Sequence, residues 1–261
     1  MELTTDELIR LTSAAYEIAC EAGIIILKKR NESLRISAKK DGSPATAGDT
    51  ASEAHIVAAL KKLTPDIPII AEEDAAKGTE LATGSGPFWL IDPLDGTKDY
   101  IAGDSEFCIN IALVVGDAPI LGVIHAPAYE ESFMGIVGHG ATRVRNERAE
   151  EISARFPPAA GLTVLSSRRH GNEPELEKYL AGVKISHHKR LSSALKLALL
   201  AAGEGDIYPR FGRVMGWDVA AGHAILIAAG GRISTANGQP LNYRHPEFEI
   251  PNFVARGRLN G

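Results

Sequence analysis

Apolar residues recur at helical intervals from the start of the chain. Leu8, Leu11, Ala15, Ile18, Ala19 and Ala22 fall on one face, and Thr4 and Glu7 ahead of them stand at capping-box spacing. The pattern predicts a long amphipathic first helix that tolerates Gly23 and ends in the solvated cations Lys28, Lys29 and Arg30, where the helix dipole favours them. A second helix is predicted from near Asp49 to Leu63, with Ala54, Val57, Ala58 and Leu60 facing inward. Pro65 and Pro68 bracket the turn that follows, and Ile67 to Ala71 reads as a short buried strand.

The period then changes. Ala75 to Pro87 is rich in small and polar residues and reads as a surface loop, after which Phe88-Trp89-Leu90-Ile91 forms a strand ending on Asp92. Phe107 to Val115 and Pro119 to Ala126, separated by Gly116-Asp117-Ala118, predict an antiparallel hairpin, and Ser132 to Val137 adds a strand closed by Gly138-His139-Gly140. From about residue 160 strands and helices alternate: Thr163–Ser166, Glu173–Leu180, Val183–His187, Ser192–Ala202, Asp206–Tyr208, Gly216–Ala229 and Arg232–Ser234. The fold class expected is α+β in a larger N-terminal part, residues 1–153, and α/β in a smaller C-terminal part, residues 161–261, joined by a linker rich in proline and alanine. No internal repeat and no low-complexity segment is visible.

Composition fits a protein with a full core, since 44% of the 261 residues are hydrophobic. The longest apolar candidate for a membrane span, Val219 to Ala229, is interrupted by Gly222 and His223. The acidic start Met1-Glu2-Leu3-Thr4-Thr5-Asp6-Glu7 lacks the pattern of a secretory signal, which makes a cytoplasmic location the expectation, with peripheral attachment at the inner membrane left open. Cys20 and Cys108 lie outside any CxxC or Cys/His cluster and read as small buried residues. A net charge of −5 argues against binding extended nucleic acid. The charge is nonetheless uneven. Residues 41–106 hold 13 acids against 4 lysines, whereas residues 168–213 hold 9 basic residues against 5 acids. The imbalance fits either two differently solvated surfaces or a cation-holding half paired with an anion-holding half.

Candidate chemistry gathers where strands end, because side chains there are held rigidly beside a cleft. Glu72, Asp92 and Asp95 occupy such positions. Two carboxylates three residues apart on a tight turn can straddle a pair of hard divalent ions, with the Leu94 carbonyl between them as a further oxygen ligand. Gly96 lets a phosphate approach the main chain, and a short helix opening at Gly96-Thr97 would favour it. A D-x-x-D-G-T run taken alone also fits an ordinary acidic turn with a helix cap. The picture narrows because Glu72-Glu73 precedes it, Asp49 opens an earlier helix, and Trp217-Asp218 opens a later one. His187-His188 has no partner at metal-ligand spacing and His223 sits on an apolar helix, so both read as structural.

The ordered set Ala71-Glu72-Glu73, Trp89-Leu90-Ile91-Asp92-Pro93-Leu94-Asp95-Gly96-Thr97 and Gly216-Trp217-Asp218-Val219-Ala220-Ala221-Gly222 resembles the inositol monophosphatase superfamily across nearly the whole chain. The resemblance implies a layered αβαβα sugar-phosphatase fold and two or three Mg2+ ions. It implies ligation by Glu72, Asp92, the Leu94 carbonyl, Asp95 and Asp218, with Asp49 near a third, weaker metal position. Glu72 and Thr97, assisted by Asp49, would activate water. Lys98-Asp99-Tyr100-Ile101 looks like the 3'(2'),5'-bisphosphate nucleotidase branch, as do Ser167-Arg168-Arg169-His170, Ser192-Ser193-Ala194-Leu195-Lys196 and the segment around Arg210. Arg169 departs from that branch, which usually has Ser there. Substrate contacts would come from Gly96, Thr97, His170, Ser193, Lys196, Arg210 and Asp218.

The expected reaction is hydrolysis of the 3'-phosphate of adenosine 3',5'-bisphosphate, with sulfated nucleotides as related substrates and a homodimer compatible with the resemblance. Two alternatives stand: a phosphatase of the same scaffold acting on inositol phosphate or a sugar bisphosphate, and a non-catalytic member that binds protein or RNA. Clustered carboxylates argue against the second.

Overall fold

The structure is a computed structural model that describes residues 3–32, 34–39, 42–78, 85–169, 171–245 and 247–258. The first helix, α1, spans Thr5–Glu32, and the Thr4 amide and hydroxyl both donate to Glu7 Oε2, at 2.8 and 2.9 Å. The predicted stripe is buried along it, extended by Ile26. Two short antiparallel strands, β1 (Ile36–Ala38) and β2 (Pro44–Thr46), lead into α2 (Ala47–Leu63).

The inward face of α2 differs from the expectation. Ala54 and Ala58 are exposed and Val57 is half-buried, whereas Asp49, Ser52, Glu53, Ile56 and Leu60 are buried. These polar side chains have partners inside: the Ser52 hydroxyl donates to the Pro93 carbonyl at 2.9 Å, and Glu53 Oε2 accepts the Glu73 amide at 2.8 Å. Hydrophobic patterning therefore places Leu60 and Val57 against the core but mis-aims Ala54 and Ala58, because it leaves out the buried polar positions.

Next come β3 (Ile69–Ala71), α3 (Glu72–Lys77), β4 (Phe88–Asp95) and α4 (Thr97–Ala102). The loop expected from Ala75 begins later than predicted, since α3 continues to Lys77 and is stopped by Gly78 at φ 85°. Strands β5 (Cys108–Val115), β6 (Ala118–Ala126), β7 (Glu131–Ile136), β8 (Gly140–Arg145) and β9 (Arg148–Ile152) then form a meander. The sheet has seven strands in sequence order, antiparallel except for the β3–β4 pair. The β8–β9 hairpin was not predicted. Its strands are largely polar or exposed at the sheet's edge, and its turn uses Asn146 and Glu147 at φ 50° and 60° rather than glycine.

The C-terminal half contributes β10 (Leu162–Ser167), α5 (Glu173–Leu180), β11 (Ile185–Leu191), α6 (Leu195–Ala201) and β12 (Ile207–Arg210). It continues through β13 (Val214–Met215), α7 (Gly216–Ala228), β14 (Arg232–Thr235), β15 (Glu249–Ile250) and β16 (Phe253–Arg256). Five of these strands form a sheet in the order β11-β10-β12-β16-β14, with β10 parallel to both neighbours and β16 antiparallel to both of its own. The segment after residue 153 is tied down: the Ala154 amide donates to the Ala229 carbonyl at 2.9 Å, and Arg155 forks onto both oxygens of Asp206, each at 2.8 Å.

Five layers result, in the order αβαβα. Helices α1 and α2 cover one face of the large sheet through Leu11, Ile26, Ile56, Leu60, Trp89 and Ile111. On its other face, α7 and α6 pack between the two sheets in one continuous core that includes Phe88, Phe133, Ile225, Leu165, Tyr208 and Phe253. Helix α5 closes the outer face of the small sheet through Leu176, Leu180 and Phe211. Helix α7 approaches the large sheet at two glycines. A Cβ on Gly122 would stand 2.2 Å from the Ala221 carbonyl oxygen, and one on Gly135 2.7 Å from Ile225 Cα. Among the described residues, no helix is long and apolar enough to cross a membrane.

Candidate active site

Asp92 and Asp95 leave the end of β4, and Asp218 arrives from the first turn of α7. The Leu94 amide donates to Asp92 Oδ1 at 2.9 Å, and the Met215 amide donates to Asp218 Oδ2 at 3.0 Å, so main chain aims both carboxylates. One oxygen from each of Asp92, Asp95 and Asp218 lies within 4.8 Å of the others. Burial, followed by repulsion from neighbouring carboxylates, raises the Asp92 carboxyl well above its usual range and pushes Asp218 up to about 8. Burial also raises Asp95, opposed by Lys196. The set is all oxygen, rigidly held and short of positive charge, which is the chemistry of a site for a hard divalent cation.

Asp49 sits beside this cluster. Its Oδ2 accepts the Thr46 amide and hydroxyl at 2.7 and 2.6 Å, which caps α2, while Oδ1 faces the Thr97 hydroxyl at 3.2 Å. The capping reading of Asp49 is thus met, and its second oxygen is left facing Thr97. Burial pushes the Asp49 carboxyl up to about 6. The same Thr97 oxygen lies 3.1 Å from the Leu94 carbonyl. Gly96 precedes it at φ 94°, and a Cβ there would stand 2.8 Å from the Glu106 carbonyl oxygen, so both conformation and space demand glycine.

Glu72 opens α3, and its carboxylate is met at 2.6 Å by Lys39, which also pairs with Glu73. Lys39 lies between β1 and β2 and was not singled out from the sequence. A lysine in a polar turn carries no local signal of the two acids it will meet more than thirty positions later.

The opposite wall comes from the C-terminal half. Ser193 adopts φ 56°, and the next amide, Ala194 N–H, donates to Asp95 Oδ2 at 2.5 Å. Asn110 on β5 reaches the same oxygen at 3.3 Å; a buried amide inside an otherwise apolar strand was the available signal for it. Lys196 is 4% exposed and donates to the carbonyls of Leu191 and Ser193 at 3.2 and 2.5 Å, so it holds the Ser193 turn while facing a chamber of about 90 Å³ shared with Asp95, Tyr208 and Arg210. Arg210 is buried, donates to the Arg213 carbonyl at 2.7 Å, and borders both that chamber and an outer cleft of about 390 Å³. The outer cleft also includes Glu72, Thr97, Lys98, Arg169, Ser193 and Asp218.

His170 lies outside the described residues. Of the histidines read from the sequence, His188 and His223 have hydrogen-bond partners away from the carboxylate cluster and His187 lies at the surface. His188 Nε2 lies 2.8 Å from the Ser166 hydroxyl, His187 is exposed, and His223 Nδ1 lies 2.9 Å from the Tyr243 hydroxyl inside the core. Cys108 is buried as expected, whereas Cys20 is only half-buried, in a groove beside His125.

Residues 7–260 match the profile of the inositol monophosphatase family. The chain is 38% identical over 229 residues to the 3'(2'),5'-bisphosphate nucleotidase CysQ of Buchnera aphidicola, covering 87% of this chain and 85% of that protein. It is 36% identical over 241 residues to the protein of the same name from Escherichia coli, covering 91% of this chain and 96% of the relative. Among solved structures it is similar to CysQ from Bacteroides thetaiotaomicron, a bacterial member of the inositol monophosphatase family, with a TM-score of 0.79 at 31% identity and coverage of 95% and 97% of the two chains.

Proposed function

The chain belongs to the inositol monophosphatase family, and from that membership we propose that it is a metal-dependent 3'(2'),5'-bisphosphate nucleotidase that hydrolyses the 3'-phosphate of adenosine 3',5'-bisphosphate to AMP and inorganic phosphate. The observation that carries this reading is the convergence, in one cleft, of the Asp92, Asp95 and Asp218 oxygens with the buried guanidinium of Arg210. Carboxylates without cations would repel any phosphate, and a substrate with a second phosphate needs a fixed cation beyond the reacting centre. The relatives named above as 3'(2'),5'-bisphosphate nucleotidases support the same substrate class.

Glu72, Asp92, the Leu94 carbonyl, Asp95 and Asp218 would hold magnesium, with Asp49 at a third position. When bound, magnesium neutralises phosphate charge and makes an attacking water more acidic. The protein's own part is proton handling and orientation. The Thr97 hydroxyl, set between two acceptors, orients water, and Asp49 and Glu72 take up its proton. Amides at Gly96 and Thr97 receive phosphate oxygens. Water attacks phosphorus, the bond to the 3'-oxygen breaks, and no covalent phosphoenzyme forms. Ser193 and Lys196 border or support the nucleotide's place, and the contact expected of His170 belongs to the same proposal. Two or three ions, turnover of sulfated nucleotides, a homodimer, and a division of labour between residues 1–153 and 161–261 belong to the same proposal.

Phosphate release from adenosine 3',5'-bisphosphate and from inositol 1-phosphate, measured with purified protein and Mg2+, tests it. Preference for inositol 1-phosphate overturns the substrate assignment. Release from neither overturns the catalytic reading.

A further inference from the structure

Asp99 is 2% exposed, yet it faces two guanidinium groups. Arg169 meets Asp99 Oδ1 through Nε at 3.3 Å and Nη2 at 3.0 Å, and Arg168 meets the same oxygen through Nη1 at 3.5 Å. One buried carboxylate needs one counter-charge. The two arginines are held differently. Arg168 has a close second partner in Glu106 at 2.6 Å and a third in Asp104 at 3.6 Å, and Glu106 in turn accepts the Ser192 amide at 2.7 Å. This ties Arg168 into the frame of the cleft.

Arg169 has no comparable anchor among the described residues: beyond Asp99 it reaches Asp104 at 3.9 Å. Its side chain is 37% exposed and borders the outer cleft together with Ser167, Ser192, Ser193 and Arg210. If Arg169 turned away from Asp99, Arg168 Nη1 would still lie 3.5 Å from that carboxylate, sharing its charge with Glu106 and Asp104. Lys196 is a poorer candidate for the same task, because its ammonium already serves two carbonyls.

We propose that Arg169 is an exchangeable anion clamp, resting on Asp99 and turning into the cleft to take the phosphate that is not cleaved, alongside Arg210. This rests on the nucleotide reading above and deepens it by naming a residue that selects bisphosphates over monophosphates. A planar fork suits the task, since it can pass two parallel N–H donors from carboxylate to phosphate.

The test is steady-state kinetics of wild type, Arg169→Ala and Arg169→Lys on adenosine 3',5'-bisphosphate and on 3'-AMP, which carries the same scissile group without the second phosphate. Truncating a partly exposed charge-assisted contact should raise KM for the bisphosphate about tenfold with kcat held within about twofold, so that the bisphosphate-to-monophosphate ratio of kcat/KM falls about tenfold. Arg169→Lys should lose less, because the charge remains. Equal losses on both substrates, the mark of a purely structural tie, overturn the clamp, and so does an unchanged ratio. A wild type inert on both substrates removes the nucleotide reading and the clamp with it. A wild type active on the bisphosphate, with its ratio unmoved in Arg169→Ala, removes the clamp alone.

Discussion

Asp49 and Thr97 come from elements forty-eight positions apart and meet with 3.2 Å between Oδ1 and Oγ1. Asp49's other oxygen accepts the Thr46 amide and hydroxyl in the capping box of α2, so the helix itself braces this contact. Thr97→Val keeps the side chain's shape and removes the hydroxyl, and Asp49→Asn keeps a good capping residue and removes the base. Each should lower kcat by about 100-fold or more, the usual share of a positioned proton acceptor, while the thermal midpoint stays near that of wild type. Kinetics at saturating Mg2+ with a parallel thermal melt checks this. Unchanged kcat would remove the pair from the mechanism.

Asp218 gives the site a pH signature. Its carboxyl is pushed from 3.8 up to about 8 by burial and by neighbouring acids, so the metal-free folded state holds a proton that the unfolded state has released. Its contribution to stability is full below about pH 4 and is lost as pH rises through 8. Glu53, raised to about 7 by burial, acts in the same direction. His125 and His223 act in the opposite direction, since burial lowers both to about 4, but that effect lies between pH 4 and 6.5 and is over by neutrality. Between pH 6.5 and 8 the metal-free stability should therefore fall, by up to about 1.4 kcal/mol per pH unit per fully titrating group, and the melting temperature with it. Saturating Mg2+ should largely cancel the part due to Asp218 and stabilise the protein more at pH 8 than at pH 6. Melts across this range, with EDTA and with Mg2+, read it directly. A metal-free protein whose stability rises over the window would contradict the assignment.

These two sites show what patterning could and could not reveal. The strand reaching Asp92 and the helices opening near Asp49 and at Asp218 were legible, because apolar periodicity marks the elements and the acids stand at their ends, whereas the run Asp92–Asp95 read as a tight turn is the irregular end of β4 itself. The buried face of α2 was not, since Ser52 and Glu53 point inward to partners supplied by distant segments. Strand β16 was missed although it lies inside the five-stranded sheet, because four residues after a short polar stretch give too little alternation to separate from loop. The pairing of Lys39 with Glu72, and of Asp99 with Arg168 and Arg169, depends on the tertiary fold and leaves no trace in local spacing.

On the proposed reading, Arg210 bears on what is cleaved rather than on cleavage. It is 7% exposed and stands where the inner chamber opens into the outer cleft. Arg210→Met removes the charge and roughly keeps the stem's volume. KM for adenosine 3',5'-bisphosphate should rise about tenfold or more, the scale of losing a charge-assisted fork, with a smaller effect on 3'-AMP. A larger loss on the monophosphate would relocate Arg210 to the scissile phosphate.

Gly122 links packing to chemistry most directly. It lies on β6, remote in sequence from every acid in the cluster, yet the Ala221 carbonyl of α7 comes so near that an added Cβ would stand 2.2 Å from it. Neither backbone can yield alone, because β6 is paired on both sides and α7 is held by Leu197 at Gly222 and by the large sheet at Gly135. Gly122→Ala should therefore lift α7 as a body, at a cost of about 1–3 kcal/mol for an overpacked core. Asp218 rides on the first turn of that helix, so the same substitution should weaken the apparent affinity for Mg2+, seen as a higher Mg2+ concentration for half-maximal rate. A variant destabilised by this amount but with unaltered Mg2+ dependence would show that the first turn of α7 is held by β13–β15 and Phe248 rather than by the sheet beneath it.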